Sequence, residues 1–494
     1  MKRTFLSLFC GIGGLSKGFV DEGFECVGAF DSDPEACRDH EMITGDPATP
    51  VDLSEMTPAQ LRRLCGERRP DVVCTSPPCK SFSGCLPKSR STTPKYKALS
   101  SLAYRGIWLP LEAWKDKPPP LIVMENVPRI QSRGRQWLDE VTEMLEGYGY
   151  AVRETTHDCG EIGHLAQSRK RFLLVARHQK QTPQYLYVPP KYDLRAIGDV
   201  FRHLPVPIPG CDTGGPMHRL TRLSALNWVR LALIPAGGDW RDIPEAVGLT
   251  CSPRATAYGC ESWQDVAGTV VGAANHDNGA WTVADPRCTT PGGRREGAMG
   301  VRDWSEHSIT VIANGSHHNG PWQVADPRLT YETRKGTIRL HSYDSHSITI
   351  IGDARSNKGH NVCDPRPAEP THFVAESTEG VPVIVGPNLD LDSRRSADPV
   401  PIILAADGTW HRPMTTLELA ALQGFPTKIG GEWLKLSGGS KKRWRQRIGN
   451  AVPPPAAAAI AKECGEVLQA AEDGAYRLRG EPVWVDAPER EATP

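Results

Sequence analysis

The sequence predicts an α/β protein built on a doubly wound, mostly parallel sheet that carries a large β-rich insert. Three observations support this. Within residues 4–200, short apolar runs alternate with amphipathic stretches, the rhythm of strand–helix–strand units. A glycine-rich turn follows the first apolar run, and an acid closes the second run about 20 residues later. From about residue 204, Gly and Pro become dense, and short extended runs between turn residues take over.

In chain order, the apolar runs place strands at residues 4–9, 26–30, 71–75, 121–124, 151–155 and 171–176. Amphipathic patterns place helices near 14–22, 57–65, 102–114 and 135–147, so the strands are separated by crossovers. Helical patterns fade after 225–233 and return beyond residue 410. There Thr415 and Thr416 followed by Glu418 read as an N-cap with an acidic first turn. Residues 456–468, rich in Ala and placed just after three prolines, form a further helix. The last dozen residues, rich in Glu, Pro and Arg, read as a frayed tail.

The chain has 494 residues, and a domain usually takes roughly 100–200. Lys and Arg together number 58, as do Asp and Glu, which excludes nucleic-acid binding by bulk charge and leaves room for a local basic cleft. No apolar run approaches the roughly 18 residues that span a bilayer. Lys2-Arg3 and the apolar run after them imitate a secretory signal, but Gly11, Gly13 and Gly14 interrupt it and Lys17 closes it. The 14 cysteines contain no CxxC pair, so neither a disulfide framework nor a metal site is expected, and a reducing cytoplasm is.

An internal repeat lies in the β-rich part. Ala284-Asp285-Pro286-Arg287 recurs as Ala325-Asp326-Pro327-Arg328 and as Cys363-Asp364-Pro365-Arg366, at intervals of about 40 residues. Each copy follows an extended run and an Asn/His/Gly-rich turn. One reading is a repeated strand–turn joint, since Asp-Pro favours turn initiation. The other has Arg287, Arg328 and Arg366 facing phosphates.

Four constellations carry chemistry. The first is Phe9-Cys10-Gly11-Ile12-Gly13-Gly14, a turn between strand and helix where backbone can approach a ligand, with Asp31 placed to bond a ribose. Neither GxGxxG nor a phosphate-cradling Walker pattern is present. The second is Ser76-Pro77-Pro78-Cys79 at a strand end; paired prolines fix the backbone and hold a candidate nucleophile, and the stretch from Lys80 to about Lys97 reads as a lid. The third is Glu125-Asn126-Val127, a carboxylate at the same sheet edge that is suited to proton donation. The fourth is Gln167-Ser168-Arg169-Lys170-Arg171, where alternation aims Arg169 and Arg171 at one face, toward Glu125.

Together these motifs resemble the DNA (cytosine-5)-methyltransferase family. Their order is the family's, and two further signatures follow: Arg412-Pro413-Met414-Thr415-Thr416-Leu417-Glu418 running into Leu422-Gln423-Gly424-Phe425-Pro426, and Ile448-Gly449-Asn450-Ala451-Val452-Pro453-Pro454. The resemblance covers residues 4–204 and 407–470. It implies a Rossmann-like methyltransferase sheet, S-adenosylmethionine as methyl donor, and a cytosine flipped out of duplex DNA. It assigns catalysis to Cys79, Glu125, Arg169 and Arg171, with the two arginines holding the base and the carboxylate. Phe9, Gly11, Gly13, Gly14, Asp31, Asp52, Leu53, Pro78, Asn450 and Val452 would hold the donor. Ser81, Ser83, Gln167, Arg287, Arg328 and Arg366 would meet the DNA. This chain departs from the family in having Asp31 where Glu is usual and Ser32 where an aromatic residue often follows. Asp52 also stands in Val51-Asp52-Leu53 rather than after a glycine, so Asp46 remains a rival.

The expected organisation is a catalytic part over 1–204, a recognition part with three repeats over 205–406, a return to the catalytic part over 407–480, and a flexible tail over 481–494. The expected function is methylation of cytosine carbon 5 at a specific duplex sequence, by a monomer in a bacterial or phage-infected cytoplasm, beside a possible restriction enzyme. A tRNA cytosine-5 methyltransferase and a catalytically silent DNA-binding protein on the same frame are the alternatives.

Overall fold

The computed structural model describes residues 2–78, 94–183, 185–209, 213–237, 240–247, 260–270, 282–286, 371–376, 382–386, 389–391, 393 and 395–474, with short strands at 301–302, 323–324, 340–342, 361–363 and 483–485. The larger sheet has seven strands: β1 (Thr4–Leu8), β2 (Glu25–Asp31), β3 (Thr49–Pro50), β4 (Val72–Thr75), β5 (Leu121–Asn126), β6 (Tyr150–Asp158) and β7 (Lys170–His178). Their spatial order is β3-β2-β1-β4-β5-β7-β6. The first five pair in parallel, whereas β7 runs antiparallel to both β5 and β6. The strands that sequence patterning predicts are all present, within one to three residues at each end.

Both faces of this sheet are covered, which is why its central strands are apolar throughout. Leu6, Leu8, Val73, Ile122 and Met124 face one helical layer with Ile107, Leu138 and Val141. Their neighbours Phe5, Val72, Cys74, Leu121 and Val123 face the other, with Phe19, Ile460 and Cys464. Helices Gly14–Asp21, Pro58–Leu64, Arg135–Gly147 and Pro454–Asp473 match the predicted ones, whereas Pro94–Ala113 begins eight residues before the predicted 102–114, within the stretch up to Lys97 that reads as a lid. Helix Pro34–Thr44 does not figure among the predictions. Its buried face includes Asp39 and His40, which break the apolar stripe. Its start is marked by Asp33, whose side chain accepts from Glu35 N at 2.9 Å, and by Pro34.

The turn after β1 depends on glycine at two points. Gly13 has φ 84°, and a Cβ on Gly14 would lie 2.1 Å from the carbonyl oxygen of Val452. Gly14→Ala is therefore expected to push the Val452 turn away and to destabilise the fold by about 1–3 kcal/mol. A thermal midpoint equal to that of the wild type would show that the two segments do not pack this closely. No described helix is long and apolar enough to cross a membrane.

A second, six-stranded sheet runs in the order Pro382–Val385, His372–Glu376, Ile403–Leu404, Trp410–Pro413, Thr282–Asp285, Cys260–Glu261. It packs on helix Ala225–Leu233, where Trp228 stacks on Trp410 with centroids 6.2 Å apart. Trp410–Pro413, just beyond residue 406, adds a strand to this sheet. A buried ion network joins it to its neighbours. Arg412 Nη2 is 2.8 Å from Asp285 Oδ2 and 2.6 Å from Glu418 Oε1, and all three side chains are fully buried. Glu418 Oε2 also accepts from Thr415 N at 2.7 Å, which completes the predicted cap of helix Thr416–Leu422.

Each repeat corresponds to one parallel two-stranded ladder. Cys260 pairs with Thr282, Val301 with Gln323, and Leu340 with Asn361. In every copy the second partner stands three residues before the Asp of the Asp-Pro-Arg motif, so the register is shared. Asp285 of the first copy is spent on Arg412, which favours the strand–turn reading for that copy; Arg287, Arg328 and Arg366 lie outside the described residues. Within the expected tail, Val483–Val485 pairs antiparallel with Leu186–Tyr187.

Candidate active site

Several strands of the parallel half of the larger sheet end at one cavity of about 430 Å³. Its floor is the turn after β1. Phe9 and Gly11 take positive φ, at 55° and 52°. The turn is pinned to the end of β2: Gly11 N donates to Asp31 Oδ2 at 2.9 Å, and Asp33 N donates to Asp31 Oδ1 at 2.9 Å. Each carboxylate oxygen keeps a second lone pair, so Asp31 can still accept from a ribose hydroxyl. Of the residues expected to hold a nucleoside, Phe9, Gly11, Gly14, Asp31, Asp52, Leu53, Pro78, Asn450 and Val452 all line the cavity.

Gly13 does not line it. A Cβ there would lie 2.9 Å from Thr44 Cγ2, so its role is to let helix Pro34–Thr44 close on the turn. Between the rivals, Asp52 borders the cavity and Asp46 does not. Asp52 accepts from Ser54 N at 2.9 Å, and that bond holds its carboxyl below the usual range. Burial pushes the Asp46 carboxyl up.

The reactive end is built by β5 and β7. Antiparallel pairing sets Glu125 opposite Leu173, so Arg171, two residues along β7, is the diagonal neighbour on the same face. Arg171 Nε lies 3.0 Å from Glu125 Oε1, with both side chains about nine-tenths buried. Ser76 Oγ donates to Glu125 Oε2 at 3.3 Å. His157, opposite Arg171 on β6, stays neutral because burial pushes its imidazole down to about 4. Asn126 has a use that the sequence does not suggest: its Nδ2 donates to Pro77 O at 3.3 Å and fastens the proline turn to β5. Pro78 lines the cavity beside Glu125 and Arg171; Cys79, Ser81 and Ser83 lie outside the described residues.

Two residues of the fourth motif are not where sequence reasoning puts them. Gln167 is fully buried, donates from Nε2 to Leu422 O at 3.0 Å and accepts from Val270 N at 3.3 Å. Its amide is consumed between segments, and no face is left for DNA. Arg169, expected to converge with Arg171 on Glu125, instead turns its terminal nitrogens to the carbonyls of Val270, Gly449 and Ala451 at 2.9–3.0 Å. It borders the cavity as part of the wall.

Arg443, Gln446 and Arg447 also line the cavity and were missed. They lie seven, four and three residues before Asn450 on helix Lys441–Asn450, so helical spacing from Asn450 would have found them. Arg447 Nη1 forms an ion pair with Asp39 Oδ2 at 2.6 Å, between this helix and Pro34–Thr44.

The family model described as C-5 cytosine-specific DNA methylase matches residues 3–203 and 331–466. Type II methylase M.HgiDII of Herpetosiphon aurantiacus is 28% identical over 286 residues, covering 56% of this chain and 77% of that protein. Type II methyltransferase M1.HphI of Haemophilus parahaemolyticus is 26% identical over 258 residues, covering 50% and 65%. Among solved structures, a DNA modification methyltransferase encoded within an E. coli prophage superposes with a TM-score of 0.53 at 14% identity, covering 95% of this chain and 100% of that one. The Entamoeba histolytica methyltransferase EhMeth gives 0.51 at 13%, covering 94% and 98%. At such identities these two superpositions speak for the fold alone. The family match, spanning well over half of the chain, carries the assignment, and the motifs that it covers around residues 9–14, Pro77-Pro78, Glu125, Arg169 and Arg171, and Asn450 line the cavity. The chain belongs to the C-5 cytosine-specific DNA methylases, enzymes that take S-adenosylmethionine as donor and DNA as substrate.

Proposed function

We propose that this protein methylates carbon 5 of cytosine within a specific sequence of duplex DNA, through a transient covalent bond from Cys79. The observation that carries this reading is the Glu125–Arg171 pair, which shares one cavity with Pro78, the residue before Cys79. The nucleoside end of that cavity fits the donor. Asp31 offers carboxylate lone pairs, Phe9 and Leu53 offer apolar wall, and Gly14 lies where a Cβ would strike Val452. S-adenosylmethionine, when bound there, supplies the methyl group that carbon 5 accepts.

Carbon 5 of cytosine is a poor nucleophile, and the protein's own groups change that. The Cys79 thiolate adds to carbon 6 and pushes an electron pair toward carbon 5 and the ring nitrogen. Glu125 donates a hydrogen bond or proton at N3, and Arg171 holds both Glu125 and the base oxygen. After carbon 5 is alkylated, it loses its proton, the electron pair returns, and the carbon 6–sulfur bond breaks. The base reaches this site only after leaving the duplex. In this reading residues 1–204 and 407–480 form the catalytic part and 205–406 the recognition part. The first repeat, with Arg287, is taken as a strand–turn joint; Arg328 and Arg366 are assigned to phosphates, and Ser81 and Ser83 to the flipped nucleotide's strand. The type II designation of the relatives supports a modification enzyme working beside a restriction enzyme; a monomer acting in the cytoplasm is part of the same proposal.

Full-length protein with labelled donor should modify duplex DNA rather than tRNA, and bisulfite sequencing should show one recurrent site. Transfer to tRNA instead would overturn the substrate assignment. A duplex with 5-fluorocytosine at that site should trap the protein covalently, because carbon 5 cannot then lose its substituent. Glu125→Gln is expected to lower kcat by about 10²–10⁴-fold and to leave binding of S-adenosylhomocysteine largely intact; a kcat near that of the wild type would remove Glu125 from the chemistry.

A further inference from the structure

Arg169 enters the structure at the edge of β7, 1% exposed, where a guanidinium is expected to be fully committed. Its Nη1 donates to the carbonyl of Val270 at 2.9 Å. Its Nη2 donates to the carbonyls of Gly449, at 3.0 Å, and Ala451, at 2.9 Å, which flank Asn450 in the chain. The planar fork thus grips the cavity wall on both sides of Asn450 and joins it to a residue of the first repeat.

Val270 belongs to a segment laced to the catalytic frame along its length. Ala267 N donates to Ala166 O at 2.9 Å, and Ser168 N donates to Ala267 O at 3.0 Å. Thr269 Oγ1 donates to Ser168 O at 2.9 Å, and Val270 N donates to Gln167 Oε1 at 3.3 Å. Twelve residues beyond Val270 begins Thr282–Asp285, the strand locked to Arg412. Arg169 thus ties Val270, in the segment that leads into the first repeat, to the turn that holds Asn450.

We propose that Arg169 is a positioning residue that sets the Asn450 wall of the donor cavity and links its geometry to the first repeat of the recognition part. Arg171 alone then serves the base and Glu125. The inference rests on the reading of this cavity as the donor site. It predicts that a change in the recognition part, remote from the cavity lining, alters donor affinity only while Arg169 is present.

The test is a double-mutant cycle on the full-length protein, with S-adenosylhomocysteine binding read by calorimetry in the absence of DNA. Arg169→Met should weaken binding about tenfold. Arg169→Lys, which can still reach part of the carbonyl set, should recover part of that loss. Thr269→Val removes one bond between repeat and frame; it should weaken binding several-fold in the wild-type background and have no further effect beside Arg169→Met. If Arg169→Met fails to fold, as judged by thermal melts, the same cycle is run with Arg169→Lys. In steady-state methylation of duplex DNA, KM for the donor should rise more than kcat falls.

Unchanged binding by both Arg169 variants would overturn the proposal, as would an identical effect of Thr269→Val in both backgrounds. A large loss of kcat with intact binding would also overturn it, by returning Arg169 to the base. If the wild-type protein itself binds no S-adenosylhomocysteine, the reading of the cavity fails, an outcome distinct from the failure of Arg169.

Discussion

Cys79→Ser is expected to abolish methylation of duplex DNA, by a factor on the order of 10⁴ or more. A thiol forms its nucleophilic thiolate far more readily than an alcohol forms an alkoxide. Glu125 is engaged by Arg171 and Ser76, and Ser76 donates to Glu125, so neither is the nucleophile in this reading. Donor binding should survive, because Phe9, Asp31, Asp52 and Asn450, which line the cavity, are left in place. The measurement is single-turnover transfer of labelled methyl to a duplex carrying the mapped site. A Cys79→Ser rate within tenfold of the wild type would mean that the reaction does not pass through a thioether.

The second large effect falls on stability. Arg412→Met leaves Asp285 and Glu418 facing each other, both fully buried, without the cation that joins them. Breaking one side of such a buried network costs about 3–5 kcal/mol. Replacing all three by apolar residues of similar volume should recover much of the loss, because no uncompensated charge then remains. The pH dependence has a definite sign. Burial acts to raise the Glu418 carboxyl, but Arg412 and the Thr415 backbone hold it below its ordinary value. Its stabilising contribution is therefore complete above the ordinary carboxylate range and is lost as pH falls through the depressed value. In Arg412→Met the two buried carboxyls lose the cation that favours their charged form, so the variant should gain on the wild type as the solution is acidified. Denaturant melts between pH 4 and 8 should show the gap between the two proteins narrowing toward low pH. A gap that is constant with pH would mean that the network contributes packing and not charge.

That network also shows where reading the sequence stops. The cap at Thr415 and Glu418 is visible because its partners stand three residues apart. The same Glu418 also binds Arg412, which binds Asp285, 127 positions away in sequence, and nothing local marks that pairing. Asp285 reads as a turn former in a repeat, and only the folded chain shows it as a buried acceptor. Gln167 and Arg169 follow the same logic. Alternation along an extended chain correctly aims Arg171 at Glu125, but the partners of Arg169 are backbone carbonyls, and a carbonyl has no residue identity to read. Arg443, Gln446 and Arg447 were within reach of a spacing argument from Asn450. Helix Pro34–Thr44 was marked by its Asp-Pro start and obscured by Asp39 and His40 on its buried face.

The amino-acid order alone thus determined the doubly wound sheet, its strands, and the motifs that gather at one edge, because strand period, apolar runs and caps act over a few residues. Tertiary structure alone decided the antiparallel entry of β7, the choice of Asp52 over Asp46, the burial of Gln167, and the turning of Arg169 away from Glu125. The last two depend on which distant backbone group comes within about 3 Å of a buried polar atom. Desolvation makes that match compulsory once the chain has closed, but no local pattern names the partner beforehand.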